Sequence, residues 1–350
     1  MWYDQGAVQR AEEPQHASNM RQKLATSLRY VVAAGIIVGL VLLCGNSGRT
    51  WQTLRSVEAG WACYGVLAMC TAIFLGGLRW LLLLRALGYR LRLWQLVQLW
   101  LAGFFFDNFL PSTVGGDIAR GYELTRRRVP LTAVAASLLV GRLFGLISLG
   151  VWSGLVLLVS LTIRGSTTLS VPNVLGACVA AGGTALLVWA THLGGSRRDA
   201  HYDTGAKVSW LTRIVAAVHD LAQTLRAYRG QTITLSAVFG LSMLMWTVDA
   251  WVLFSCIRGA GIGMAYRDVI GLNTTLNWAA AVPVSIGGIG VQECTLTMLL
   301  RELGVATSVG LAVGLTYRAV RWSVALLGGL SLALSAMQTA QHTVPSQETS

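Results

Sequence analysis

The residues best placed to do chemistry are charges in an apolar setting. Arg120, Arg142, Arg318 and Arg321, with the acids Asp107, Asp117, Asp249 and Glu293, fall in or beside long apolar runs. An arginine at bilayer depth costs about 2.5–3.5 kcal/mol on insertion scales, so it is expected to face the protein interior and to have a partner. Arginine keeps its proton under all ordinary conditions, so these cations stay charged. Two chemistries fit: ion pairs that clamp helices together, or a polar cavity that receives an anion. For any one residue the clamp is a strong reading. For the set, a cavity for an anionic headgroup is expected. Arg79 and Arg85 are read as snorkelling to an interface along their aliphatic stems.

The charges accompany a repeated motif. Pro111-Ser112-Thr113-Val114-Gly115-Gly116-Asp117 is matched by Pro283-Val284-Ser285-Ile286-Gly287-Gly288-Ile289 at a constant offset (283 − 111 and 287 − 115 both give 172). Each copy follows an apolar helix bearing an amide, Asn108 before the first and Asn273 and Asn277 before the second, and each is followed by an arginine within an apolar run, Arg142 or Arg318. Proline removes a backbone donor and stops a helix. Paired glycines permit tight turns. In hydrocarbon every freed backbone group must be satisfied by protein or by a water-filled cavity. Broken helices in matching places of two halves therefore point to a midplane transport site. A helix start after Gly-Gly also offers backbone N–H groups to an anion.

The elements that position these residues follow from hydropathy. The chain has 350 residues, 54% hydrophobic and 12% charged, with a mean hydropathy of +0.58. Soluble domains carry about 25% charged residues, so a polytopic all-α membrane protein is expected, with no large soluble domain. Apolar runs lie at 28–45, about 59–84, 94–110, 131–163, about 171–192, 231–257, 268–303 and 307–337. The net charge of +12 is almost wholly arginine, with Lys23 and Lys207 the only lysines. Nucleic-acid binding is set aside in favour of cytoplasmic loops that fix orientation. The arginine-rich loops 85–93, 126–130 and 193–230 are assigned to the cytoplasm, and 46–58, 164–170 and 258–267 to the outside.

This sidedness makes 94–125 enter and return on one face and 268–303 do so from the other. The expectation is two inverted repeats, about six spanning helices and two Pro/Gly-Gly re-entrant hairpins, with both termini cytoplasmic. Full crossing by 94–110 and 268–286 is the alternative. Residues 1–27 are expected to be a disordered tail, 28–338 the membrane domain, and 339–350 a polar tail. The first run reads as an anchor and not a removed signal. Within 193–230, Val208, Leu211, Val215, Val218, Leu221 and Leu225 recur at helical spacing. Either a helix lying on the membrane or a linker packed on the domain would give that pattern. The cysteines (Cys44, Cys63, Cys70, Cys178, Cys256, Cys294) lack metal-ligand spacing and are read as small apolar residues.

At "NFLPSTVGGDIAR", Arg142, "VPVSIGGIGVQE" and Arg318 the sequence resembles the transmembrane, flippase-like domain of lysylphosphatidylglycerol synthases, the multiple peptide resistance factor family. The resemblance covers about residues 25 to 338. It implies a stand-alone flippase-like domain in a bacterial inner or plasma membrane. Synthases of that family carry a soluble aminoacyl-transferase domain after the membrane part. This chain ends soon after its last apolar run, so it is not expected to make an aminoacylated lipid. Carried over residue by residue, the substrate-binding set is Asn108, Ser112, Thr113, Gly115, Gly116, Asp117, Arg120, Arg142, Ser285, Gly287, Gly288, Glu293 and Arg318, with Pro111 and Pro283 as helix breaks.

The expected function is non-enzymatic translocation of a phospholipid or polyprenyl-type lipid with an anionic headgroup. No catalytic residue, metal or cofactor is expected. The sequence has no GxxxxGK[ST] loop, so movement would be downhill or ion-coupled. Expected partners are the lipid and the membrane, without nucleic acid; a lipid-synthesising enzyme and self-association stay open. The rivals are a lipid-phosphate glycosyl- or phosphotransferase and a non-transporting scaffold. The first would want clustered carboxylates at the interface, whereas the outer loops offer Glu58 and Asp268.

Overall fold

The computed structural model describes residues 47–109, 115–163, 228–281 and 288–342, with isolated positions between 174 and 183. The expected N-terminal tail, the run 28–45, most of 171–192, the loop 164–170 and almost all of 193–230 lie outside the described residues, as do Pro111, Ser112, Thr113, Pro283, Ser285 and Gly287. The described residues are helical throughout, with no strand. In chain order the helices are α1 (Ser47–Ser56), α2 (Ala59–Ala86), α3 (Leu93–Phe109), α4 (Gly115–Arg126), α5 (Leu131–Ile163), α6 (Thr232–Gly259), α7 (Tyr266–Ala281), α8 (Val291–Glu302) and α9 (Thr307–His342).

Three of them, α2, α5 and α6, are long and apolar enough to cross a membrane. Their exposed large side chains include Phe74, Leu155 and Trp251, which suits a body whose outer surface meets lipid and not water. Residues 46–58, expected as a loop, contain the ten-residue α1. Its polar sequence is held by packing on α9, with Thr50 buried. Helix α9 runs on to His342, into the stretch expected as tail.

The helices come in two matching sets. Helices α2, α3, α4 and α5 have 28, 17, 12 and 33 residues. Helices α6, α7, α8 and α9 have 28, 16, 12 and 36. The first pair of each set starts at an offset of 173 (232 − 59 and 266 − 93) and the second pair at 176 (291 − 115 and 307 − 131).

Helices α2 and α6 run antiparallel. The Glu58 N–H donates to the Gly259 carbonyl at 3.2 Å, which joins the start of α2 to the end of α6. At the other end Tyr228, which precedes α6, packs in one cluster with Leu83 and Val140, beside Ala86 and Leu87. Burial pushes the Tyr228 hydroxyl above its ordinary range and keeps it neutral. A neighbouring cluster joins Leu84 of α2, Leu96 of α3, Leu124 of α4 and Val129. The start of α3, the end of α4, the start of α5 and the start of α6 therefore share one end, and the loops there carry Arg90, Arg92, Arg127, Arg128 and Arg229. The largest core cluster brings α2, α3, α6, α7, α8 and α9 together around Leu253, Leu276, Leu296, Val313 and Tyr317. Among the described cysteines Cys256 is buried and none is bonded to another.

Candidate functional site

The two short helices each place an acid at their third residue. Asp117 occupies that position in α4 and Glu293 in α8, where the helix dipole favours negative charge. Each acid meets an arginine 25 residues further on, in the long helix that follows. Asp117 Oδ2 accepts from Arg142 Nε of α5. Glu293 Oε1 accepts from Arg318 Nε of α9 at 2.6 Å. These four residues were in the expected set, and the fold assembles them as two equivalent pairs.

Around Asp117 the first pair grows into a cluster. Arg120 Nη1 donates to Asp117 Oδ1 at 2.7 Å, and its Nη2 donates to Asp107 Oδ2 at 3.0 Å. The Arg120 guanidinium lies 4.2 Å from the Trp100 ring centre. Asp107 also accepts from the Gly116 N–H at 3.0 Å, so an acid on α3 caps α4. Gly116 has a packing role and not the turn role expected of it. It lies within the first turn of α4, and a Cβ there would stand 2.4 Å from the Gly103 carbonyl oxygen. Gly115 is likewise a buried helical residue.

The second pair is more enclosed. Both side chains are 5% exposed, against 46% for Arg142 and 12% for Asp117. Glu293 Oε2 accepts from the Gly290 N–H at 2.7 Å, and Arg318 Nη2 donates to the Gly288 carbonyl at 3.0 Å. Here glycine does serve a turn: Gly288 has φ +71° and Gly290 φ +81°, a region that other residues seldom adopt. The backbone N–H groups of Gly116 and Gly290, at helix starts that the sequence reading reserved for a ligand, are thus held by the chain's own acids. Asn108 donates to the Phe104 carbonyl one turn back in its own helix, at 2.8 Å, and joins neither pair.

A third centre was named in the sequence only as loose charges. Asp249 of α6 accepts from Asn273 and Asn277 of α7, both at 3.1 Å, and lies 3.6 Å from Arg321 of α9. Arg321 also donates to the Tyr317 hydroxyl at 3.2 Å and stands 5.4 Å from the Phe104 ring centre. Trp100 and Phe104, one turn apart on α3, therefore stand against charges from both sets. The amides before the second motif could have flagged this centre, because Asn273 and Asn277 recur one helical turn apart.

Arg79 corrects a reading. It was expected to snorkel, but it is buried, with Nη1 donating to Ser242 Oγ of α6 at 3.0 Å and its guanidinium 5.5 Å from the Trp100 ring centre. Its position near one end of an apolar helix suggested the interface; packing of α2 on α6 decides otherwise. Arg85 is exposed as expected. Arg79, Trp100, Asp117, Ser137, Gly141 and Arg142 line a narrow cleft.

The family model described as "Lysylphosphatidylglycerol synthase TM region" matches residues 30–329. A curated relative, the glycosyltransferase AglD of Haloferax volcanii, is 26% identical over 298 residues, which are 75% of this chain and 46% of that protein. The chain thus spans about half the length of the relative it matches.

Proposed function

The chain belongs to the lysylphosphatidylglycerol synthase transmembrane-region family, and on that premise we propose that it moves a lipid with an anionic headgroup between the leaflets of a cell membrane. The observation that carries this reading is the duplicated acid–arginine pair: Asp117–Arg142 and Glu293–Arg318, each spanning 25 residues, each joining a short helix to a long one. A charge pair in an apolar body is costly and is retained where an ion or a polar group must pass. Two of them in equivalent places suit a headgroup route with an entrance from each face.

In this reading the halves are inverted repeats and α3–α4 and α7–α8 are re-entrant hairpins. Supporting it, α2 and α6 run antiparallel, and α3 starts at the end where α4 finishes. That end carries the arginine-rich loops, so it and both termini are assigned to the cytoplasm. An enzyme that supplies the lipid, and self-association, fit the same reading. The chain itself transforms no substrate.

The name of one relative favours a second reading, glycosyl transfer to a membrane-embedded lipid phosphate. One experiment separates the two. Purified protein in vesicles is given a fluorescent phosphatidylglycerol on one leaflet, and in parallel a set of sugar-nucleotide and polyprenyl-phosphate sugar donors with acceptor lipid. Exchange above protein-free vesicles, without donor turnover, is expected. Turnover without exchange would establish the enzyme instead.

A further inference from the structure

The first charge pair lies deep in the membrane and yet faces outward. Arg142 is 11 residues into α5, which begins at Leu131, and Asp117 is nine residues before the end of α4 at Arg126 (142 − 131 and 126 − 117). At 1.5 Å per residue both helices set the pair about 14–16 Å from the arginine-rich end, near the middle of a hydrocarbon core of about 30 Å. The Arg142 side chain is nonetheless 46% exposed. Leu139 and Leu146, one turn to either side of it on α5, are exposed as well, and α4 exposes Ile118 and Tyr122 beside Asp117. An arginine thus sits in the middle of an apolar row on a helix long enough to cross the bilayer.

The second pair is covered. At the offset of 176, Leu315 and Trp322 of α9 take the places of Leu139 and Leu146 (139 + 176 and 146 + 176), and both are partly buried. Trp322 packs on Phe109 with 5.8 Å between ring centres, and Arg318 is enclosed with them.

Asp117 neutralises Arg142, so the membrane meets an ion pair and not a bare cation. Acyl chains still solvate such a pair poorly. Arg142 is too deep to snorkel to either interface, and a bilayer accommodates a charge at that depth by thinning and by letting water reach it. The cleft behind the pair has room for about one water molecule, so a headgroup is not taken inside there.

We infer that the headgroup crosses outside the helix bundle, along the lipid-facing seam of α4 and α5. The Asp117–Arg142 pair thins the bilayer at the seam, and a phospholipid of the surrounding membrane passes its phosphodiester by the exposed guanidinium while its chains lie on Leu139 and Leu146. The charge within an otherwise apolar face is what selects a phospholipid as the occupant. From the arginine-rich end the seam offers Arg126 and Tyr122, both exposed and one helical turn apart, before the pair is reached. In this conformation the route opens at the first pair. The inference rests on the translocase reading above and sharpens it, replacing an enclosed passage with a surface one.

The test uses the full chain, with its own cysteines replaced, in phosphatidylcholine vesicles. Single spin labels stand at Leu139, at Leu146 or, as the control, at Leu244, an exposed residue 12 residues into α6 from the same end (244 − 232). Collisions with a water-soluble nickel chelate are measured. The labels at 139 and 146 are expected to meet the chelate more often than the label at 244, and Arg142→Leu is expected to bring them down to its level. Equal access at all three positions, or an excess that a folded Arg142→Leu retains, overturns the seam. The comparison with 244 needs no arginine variant, so it decides even where Arg142→Leu folds poorly. A disulfide between two copies through Leu139→Cys would give this face to a second copy of the chain and overturn the seam too.

Leaflet exchange separates the route from the activity. A fluorescent phosphatidylglycerol is compared with a fluorescent phospholipid whose head carries a polyethylene-glycol chain. Exchange of both at comparable rates is expected, because a surface route sets no limit on head size. Exchange of the first with exclusion of the second would overturn the surface route and leave translocation standing. Exchange of neither, with water access at 139 retained, would refute translocation and with it the crossing, and leave the thinned seam as measured.

Discussion

Two glycines five residues apart on α4 should respond to the same substitution with opposite signs. Gly116→Ala puts a Cβ 2.4 Å from the Gly103 carbonyl oxygen and 2.4 Å from Asp107 Oδ1. Ordinary contact begins at 3.4 Å, so α3 and α4 must part by about 1 Å. The Asp107 carboxylate could swing aside, but the Gly103 carbonyl is backbone and cannot. Such overpacking costs about 1–3 kcal/mol. The parting also breaks the 3.0 Å bond from the Gly116 N–H to Asp107, and losing a hydrogen bond to a charged group costs about 1.5–3 kcal/mol more. Gly121→Ala meets only Val134 Cγ1 at 3.7 Å, an ordinary contact. In a helix interior that exchange gains about 0.5–1 kcal/mol. With about 2–4 °C per kcal/mol, the value for chains of roughly 150–250 residues and an upper bound for this longer one, Gly116→Ala should melt below wild type by up to about 24 °C and Gly121→Ala slightly above it. Thermal melts followed by size-exclusion recovery in detergent read both. If Gly116→Ala melts with wild type, or both variants shift in the same direction, the close α3–α4 crossing is wrong.

Three further outcomes are expected. Glu293→Gln should cost about 3–5 kcal/mol, because it removes the carboxylate that pairs with the buried Arg318 charge and removing one partner of a buried pair has that effect. Adding Arg318→Gln to it should cost less than the sum of the singles; additive losses in a double-mutant cycle would deny the pair. Arg142→Gln should be milder than Arg318→Gln in the same melts, since its side chain is 46% exposed against 5%; the opposite order would contradict the open and closed assignment. Single cysteines beside 126–128 and 301–302 should react with membrane-impermeant reagents from opposite faces, and labelling of both from one face would refute the inverted hairpins.

Much of the frame was legible because hydrocarbon is an unforgiving solvent. A long, largely apolar run of this kind satisfies its backbone in hydrocarbon as a helix, so the cores of α2, α5 and α6 followed from composition, and the Pro/Gly-Gly motifs marked where α3 and α7 give way to α4 and α8. The short α1 was not legible, because a polar segment such as Ser47–Ser56 becomes helical through its packing on α9. The acid–arginine pairs were legible as types, but their pairing needed the fold. Asp107 was seen as a charge, yet its capping of Gly116 depends on α3 and α4 closing together. Arg79 was misread because the deciding partner, Ser242, is 163 residues away. The roles of Gly116 and Gly288 look alike in the motif and differ in the structure: one permits close helix approach, the other a left-handed turn.

The central claim is that the two charge pairs form the route of a lipid headgroup. The most direct measurement is leaflet exchange of fluorescent phosphatidylglycerol in vesicles containing wild type or the Arg142→Ala, Arg318→Ala double variant, each first shown to be monodisperse and helical. The account predicts protein-dependent exchange by wild type that falls to the level of empty vesicles in the double variant. Exchange at the wild-type rate by the folded double variant would contradict it.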